Sequence, residues 1–119
     1  MWIRMKLTDS IVKSLQEKKG KDIMVVDLTA IGDTICKAFV ICTGGSPQQV
    51  QALAQEVGEQ LLENDGLRPT AVDGMRNAQW VAMDYGDVIV HILLPDAREF
   101  YDIEHLWEDA DITEIPNLD

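Results

Sequence analysis

Basic residues are scarce in this chain. Ten Lys and Arg stand against 21 Asp and Glu among 119 residues, a formal net charge of −11. A nucleic-acid binder needs a basic footprint along the phosphates, so direct or sequence-specific DNA or RNA binding is not expected. Cysteine is nearly absent too. With Lys37 to Ile41 extended between them, Cys36 and Cys42 would sit ~20 Å apart, too far for a disulfide. No Cys-x-x-Cys occurs, and both thiols are expected to be reduced and mostly buried. The only histidines are His91 and His105, and no ligand cluster has metal spacing. No apolar run approaches the ~20 residues of a membrane span. The start, from Met1 to Lys6, holds no apolar stretch long enough for a secretory signal, so a cytoplasmic location without membrane contact is expected.

What is present is a globular composition, 46% hydrophobic, in a length suited to one domain with one core. The charge is uneven. Residues 1–21 carry Arg4, Lys6, Lys13, Lys18, Lys19 and Lys21 against Asp9 and Glu17, whereas residues 96–119 carry nine acids against Arg98 alone. An acidic end suits a basic protein partner, or is simply a solvated surface that helps solubility.

Thr8 or Asp9 can cap a first helix, with Ile11, Val12 and Leu15 at helical spacing and Gly20 ending it. Asp22 to Leu28 and Lys37 to Thr43 read as buried strands, with a loop around Gly32-Asp33 between them. Ser46, Pro47 and Gln49 form a capping box. The helix they open places Val50, Leu53, Ala54, Val57, Leu61 and Leu62 on one stripe and stops near Asp65-Gly66. Arg68 to Val72 can be a short strand, followed by a turn over Asp73 to Asn77. A hairpin runs from Trp80 to Leu94. Pro95 and Asp96 open a last helix with a core-facing stripe of Phe100, Ile103, Leu106 and Trp107, leaving Arg98, Tyr101, Asp102 and His105 off it. The order αββαβββα predicts a mixed sheet flanked by helices, in the α/β or α+β class, over residues 1–110. The acidic tail, residues 111–119, has no periodicity and is expected to be mobile.

The hairpin carries the most specific signal. With a two-residue loop at Tyr85-Gly86, Asp84 pairs with Asp87, Ala82 with Ile89 and Trp80 with His91. One face then holds Val81, Met83, Val88, Val90 and Ile92, and the other Trp80, Ala82, Asp84, Asp87, Ile89 and His91. A three-residue loop with Gly86 in a bulge would mix the two sets, and the clean segregation favours the first register. The polar face resembles a recognition surface. Each of its residues also has a plainer reading. Asp84 and Asp87 can hold the turn backbone instead of doing acid–base work. His91 can be a hydrogen-bonded structural residue, and Trp80 can pack against a helix. The Gly44-Gly45-Ser46 turn before a helix could hold a phosphate, as in nucleotidyltransferases, but no Asp-x-Asp or Asp-x-Glu pair follows on a strand and no Lys makes it a P-loop.

Ile41-Cys42-Thr43-Gly44, Asp73-Gly74, Trp80, Asp84-x-Gly86-Asp87-Val88-Ile89-Val90-His91 and Arg98-x-Phe100-Tyr101-x-x-Glu104-x-Leu106-Trp107 together resemble the ribosomal silencing factor (Iojap) family. The resemblance runs from about Leu15 to Ala110 and rests on the ordered set, since no single piece is specific. It implies a nucleotidyltransferase-like α/β fold without transferase activity and without a cofactor. It also implies binding to ribosomal protein fourteen of the large subunit, which sterically prevents the small subunit from joining and represses translation when nutrients are scarce. Members can also self-associate, so a homodimer is a further expectation. The partner-facing set carried over by position is Trp80, Asp84, Tyr85, Asp87, His91, Arg98 and Tyr101. The family often has a smaller or aliphatic residue where Tyr85 stands.

Overall fold

Phe39, Val40, Ile41 and Cys42 follow one another without a polar break, and the strand they form is buried along its entire length (β2, Ala38–Thr43). Only a strand covered on both faces reads this way. The computed structural model describes residues 2–29, 31, 36–105 and 110–117. β2 lies inside a mixed six-stranded sheet of order β3-β4-β5-β2-β1-β6. It runs parallel to β5 (Val88–Leu93) and antiparallel to β1 (Lys21–Asp27). The remaining strands are β3 (Ala71–Asp73), β4 (Trp80–Asp84) and β6 (Asp111–Glu114), all paired antiparallel.

Helices α1 (Trp2–Glu17) and α2 (Pro47–Asp65) cover one face. Val50, Leu53, Ala54, Val57 and Leu61 are the buried stripe of α2, and Leu62, at its margin, is exposed. They pack with Ile11 and Leu15 of α1 against Val40, Cys42, Val81, Met83, Val88, Val90 and Ile92 of the sheet. The capping box forms. Ser46 Oγ accepts from Gln49 N at 3.1 Å, and Gln49 Oε1 accepts from Gly45 N at 2.7 Å. Gly66, in the left-handed region at φ 66°, closes the helix. The radius of gyration, 13.0 Å, is that of one domain, for which about 13.5 Å is expected at this length.

Three boundaries differ from the sequence expectation. α1 begins at Trp2, so Thr8 and Asp9 lie within it and do not cap it. Leu7 packs against the core with Ile11 and Leu15, and this four-residue spacing continues the helix upstream of the polar pair. The last helix, α3 (Pro95–Tyr101), stops early because Asp102 turns left-handed at φ 46°; a 3₁₀ turn over Ile103–His105 follows. Leu106 and Trp107, expected on its stripe, lie outside the described residues, as does the Gly32-Asp33 loop. The tail expected to be mobile supplies β6, where Met24 pairs with Glu114 and Asp27 with Asp111. Beyond it, Ile115 N donates to the Ile23 carbonyl and Asn117 Oδ1 accepts from Asp22 N. An edge strand needs only backbone partners on one side, so it carries no apolar period in its sequence. Both cysteines are reduced and buried, on opposite faces of the sheet. Burial pushes the Cys42 thiol up to about 12.

Val90 is fully buried in the middle of β5, beside Val40 of β2 and Met83 of β4. Val90→Asp would strand a carboxylate with no partner, at a cost of ~4 kcal/mol or more. The variant should lack a cooperative thermal transition by circular dichroism at neutral pH. A melt like the wild type's would mean that Val90 is not in the core.

Candidate protein interface

The hairpin register sets what the second face of the sheet displays. Observed pairs are Trp80–Leu93, Ala82–His91 and Asp84–Ile89, with Tyr85 N donating to the Val88 carbonyl at 2.9 Å. The loop is therefore Gly86-Asp87, one residue beyond the expected Tyr85-Gly86. Gly86 takes φ 86°, a conformation the first loop position of a tight hairpin demands and Tyr resists. Pairing slides by two residues relative to the expectation. An even slide leaves every strand side chain on its face, so the two sets survive although the partners change. Gly74 fixes the strand's start. At φ 90°, a Cβ there would lie 2.0 Å from the Trp80 carbonyl oxygen.

This second face is not open along its whole length. Val26, Leu28, Phe39, Ile41 and Leu93 form a second core beneath α3 and the 3₁₀ turn, joined by Ala97 and Ile103. Arg98 pins the cover down. It is 8% exposed, and its Nη1 donates to Thr43 Oγ1 at 2.8 Å and to the Asp22 carbonyl. Its assignment to the partner-facing set is therefore corrected: a guanidinium held inside this way joins α3 to β1 and β2. Tyr85 stands apart from the rest of the set, half-buried on the other face. It packs against the first core, on the side away from Trp80, where burial raises its phenol to about 12.

Trp80, Ala82, Asp84 and Ile89 remain half-buried beyond the edge of the cover. From there a row of rings runs outward. Phe39 meets His91 edge to face at 4.9 Å, Trp80 lies 5.8 Å from His91 and 4.8 Å from Tyr101, and Tyr101 stands 5.0 Å from Phe100. Four of the seven Phe, Trp and Tyr of the chain lie in this row. Exposure rises along it from 4% at Phe39 through 50% at Tyr101 to 79% at Phe100. Phe100 was expected in the core. The early end of α3 changes which residues face the sheet, so Ala97 and Arg98 turn inward and Phe100 outward; the left-handed Asp102 was the missing signal. An open groove of about 590 Å³ lies alongside, lined by Gly45, Pro47, Leu94, Pro95, Phe100 and Tyr101 among others.

The acids have separate roles. Asp84 Oδ1 accepts from Gly86 N at 2.7 Å and braces the turn, on the same face as Trp80. Asp87 is exposed at the tip, and its carbonyl accepts from Lys37 N and Ala38 N. His91 is 9% exposed. Its Nδ1 accepts from Trp80 Nε1 at 3.0 Å, and because indole only donates, the proton of the neutral ring sits on Nε2. Burial holds the imidazole down to about 4. The Gly44-Gly45 turn has its amides engaged internally, Gly44 N with the Leu93 carbonyl and Gly45 N with Gln49, which takes two donors from any phosphate. Among the described residues no group of three His, Cys, Asp or Glu could hold a metal ion, and no helix is long and apolar enough to cross a membrane.

The residues assembled here are thus a graded apolar row with carboxylates at its margin. Comparison with known proteins gives the class. A family model described as ribosomal silencing factor during starvation matches residues 4–119. The chain is 38% identical over 99 residues to the ribosomal silencing factor of Bacillus subtilis, covering 83% of this chain and 82% of that one. It is 31% identical over 107 residues to the chloroplastic Iojap protein of Zea mays, covering 90% of this chain and 46% of that one. A crystal structure of a Chromobacterium violaceum protein superposes with a TM-score of 0.82 at 34% identity, covering 95% of this chain and 92% of that one. The chain belongs to the ribosomal silencing factor family.

The depressed His91 has a consequence for stability. Between its ordinary value of 6.5 and about 4, the unfolded chain binds a proton that the folded chain refuses. Stability should therefore fall as pH drops through that window, by up to about 3 kcal/mol from this group. Urea titrations at pH 7 and pH 4.5 should give a smaller difference for His91→Asn than for the wild type. Equal differences would mean that His91 is not held neutral by the fold.

Proposed function

We propose that this protein binds the large ribosomal subunit through ribosomal protein fourteen and keeps the small subunit from joining, repressing translation under nutrient limitation. Family membership supports the ribosomal setting, and the aromatic row is the observation that carries the docking reading. Trp80 and Tyr101 supply a large, rigid apolar contact at the centre, with Phe100 beside them. Asp84 and Asp87 stand toward the hairpin tip and Asp96 and Asp102 on and after α3, where they suit basic side chains of a ribosomal protein. The net charge of −11 would speed encounter with such a protein and repel bare RNA.

No catalytic step is required. A 13.3 kDa domain seated at the subunit interface excludes the other subunit by its volume. The contact set of this reading is Trp80, Asp84, Asp87, Tyr101 and Phe100, with Tyr85 and Arg98 serving the fold.

Sedimentation of the protein with isolated large subunits, isolated small subunits and Mg²⁺-driven mixtures tests the reading. It should co-migrate with large subunits only and lower the fraction of joined ribosomes. Trp80→Ala should stay folded, melt several degrees lower, and lose about 30-fold or more in affinity for the large subunit. Phe100→Ser, at an exposed site, should weaken binding with no change in melting. Unchanged binding by both variants would rule this surface out as the contact. A dimer that Trp80→Ala dissociates would instead assign the row to self-association.

A further inference from the structure

His91 was carried over by position as a contact residue, yet at 9% exposure it has almost no surface to offer a partner. We propose that His91 is instead the positioning residue of the docking surface, its Nδ1 lone pair holding the Trp80 indole at one fixed angle. This inference rests on the docking reading of the aromatic row. The geometry is specific. His91 sits on β5 with Ala82 opposite it on β4 and Ile41 on β2, and Phe39 packs across it nearly perpendicular, at 86°. A ring so enclosed has one orientation. Trp80 is the diagonal neighbour on β4, a distance that only a long side chain bridges, and it does so through Nε1 to Nδ1 at 3.0 Å. Nε2 of His91 is buried with no hydrogen-bond partner among the described residues, so the ring's one protein hydrogen bond there is the one to Trp80. A buried polar ring with an unmatched second nitrogen is costly to keep, and an apolar side chain would pack there more favourably. Such a residue makes sense where its one bond has a purpose.

That bond has two effects on a partner. It removes rotamer freedom from Trp80 before binding, so less is lost when the complex forms. It also engages the indole N–H within the protein. The partner therefore meets Trp80 as an apolar plate that accepts aliphatic groups or a cation over its face, and not as a hydrogen-bond donor. Tyr101, 4.8 Å away, lies against the same ring, so the pin fixes both.

The test uses three variants. His91→Asn places an amide oxygen near the position of Nδ1 and keeps the acceptor. His91→Leu fills the space without one. Trp80→Phe removes the donor from the other side. In nitrogen–proton spectra of the free protein, the Trp80 indole resonance, assigned by its absence in Trp80→Phe, should be shifted and slow to exchange in the wild type and His91→Asn. In His91→Leu it should move toward the free-indole position and exchange fast. Affinity for isolated large subunits should fall about tenfold in His91→Leu and in Trp80→Phe and stay within about threefold in His91→Asn. An unaltered indole resonance in His91→Leu overturns the proposal, as does a lost resonance with undiminished affinity. Should His91→Leu fail to fold, Trp80→Phe reads the same bond, and wild-type affinity there overturns the proposal equally. Failure of the docking reading looks different: Trp80→Ala would bind like the wild type, while the indole resonance would still report whether the bond exists.

Discussion

Everything in this domain is referred to the burial of β2 on both faces. Because Val40 and Cys42 point to one side and Phe39 and Ile41 to the other, each side needs its own cover. The parallel pairing with β5 follows from the same demand. A parallel neighbour requires a long crossover, and α2 lies within that crossover and roofs the first face. On the second face the cover among the described residues is short. α3 spans seven residues and the 3₁₀ turn three, enough for Ile41 and Leu93 but not for the hairpin side of the sheet. Among the described residues, the exposed end of the aromatic row is thus the uncovered remainder of a second core.

This origin explains why the surface is apolar and continuous with the core. Its inner members, Phe39 and His91, are core residues, and its outer members, Tyr101 and Phe100, are solvent-facing. A partner that lands on Phe100 and Tyr101 is in contact, through a continuous stack of rings, with the middle of the sheet. Arg98 supports this from below. By tying α3 to Thr43 and to the Asp22 carbonyl, it holds the helix that carries Tyr101 and Phe100.

The sequence made the element order, the capping box, the α2 stripe and the two faces of the hairpin legible, because each depends on a period or a local motif. The hairpin register was legible only to within an even number of residues. Apolar alternation distinguishes faces and cannot distinguish two registers that share them, and the choice fell to the positive φ at Gly86. Arg98 and Phe100 exchange the places that the stripe gives them, since a helix stripe extrapolated past the point where the helix ends acquires the wrong phase. β6 was invisible for another reason. Its four residues are exposed, and their place is set by backbone bonding to β1, which leaves no mark on side-chain choice. For the candidate interface, the motif singled out Trp80, Asp84, Tyr85, Asp87, His91, Arg98 and Tyr101 alike, because spacing alone does not separate an outward side chain from a buried one such as His91 or Arg98.

The strand added by the tail also changes what the sheet presents to other copies of itself. With β6 in place, both margins of the sheet are strands of three or four residues, β3 and β6. One carries Asp73 and the other Asp111 and Glu114, all exposed. A second sheet approaching either margin finds few free backbone groups to pair with and must bring carboxylates of like sign together. A chain that leaves an apolar row exposed is thereby disfavoured from pairing with a second copy along its own sheet edges.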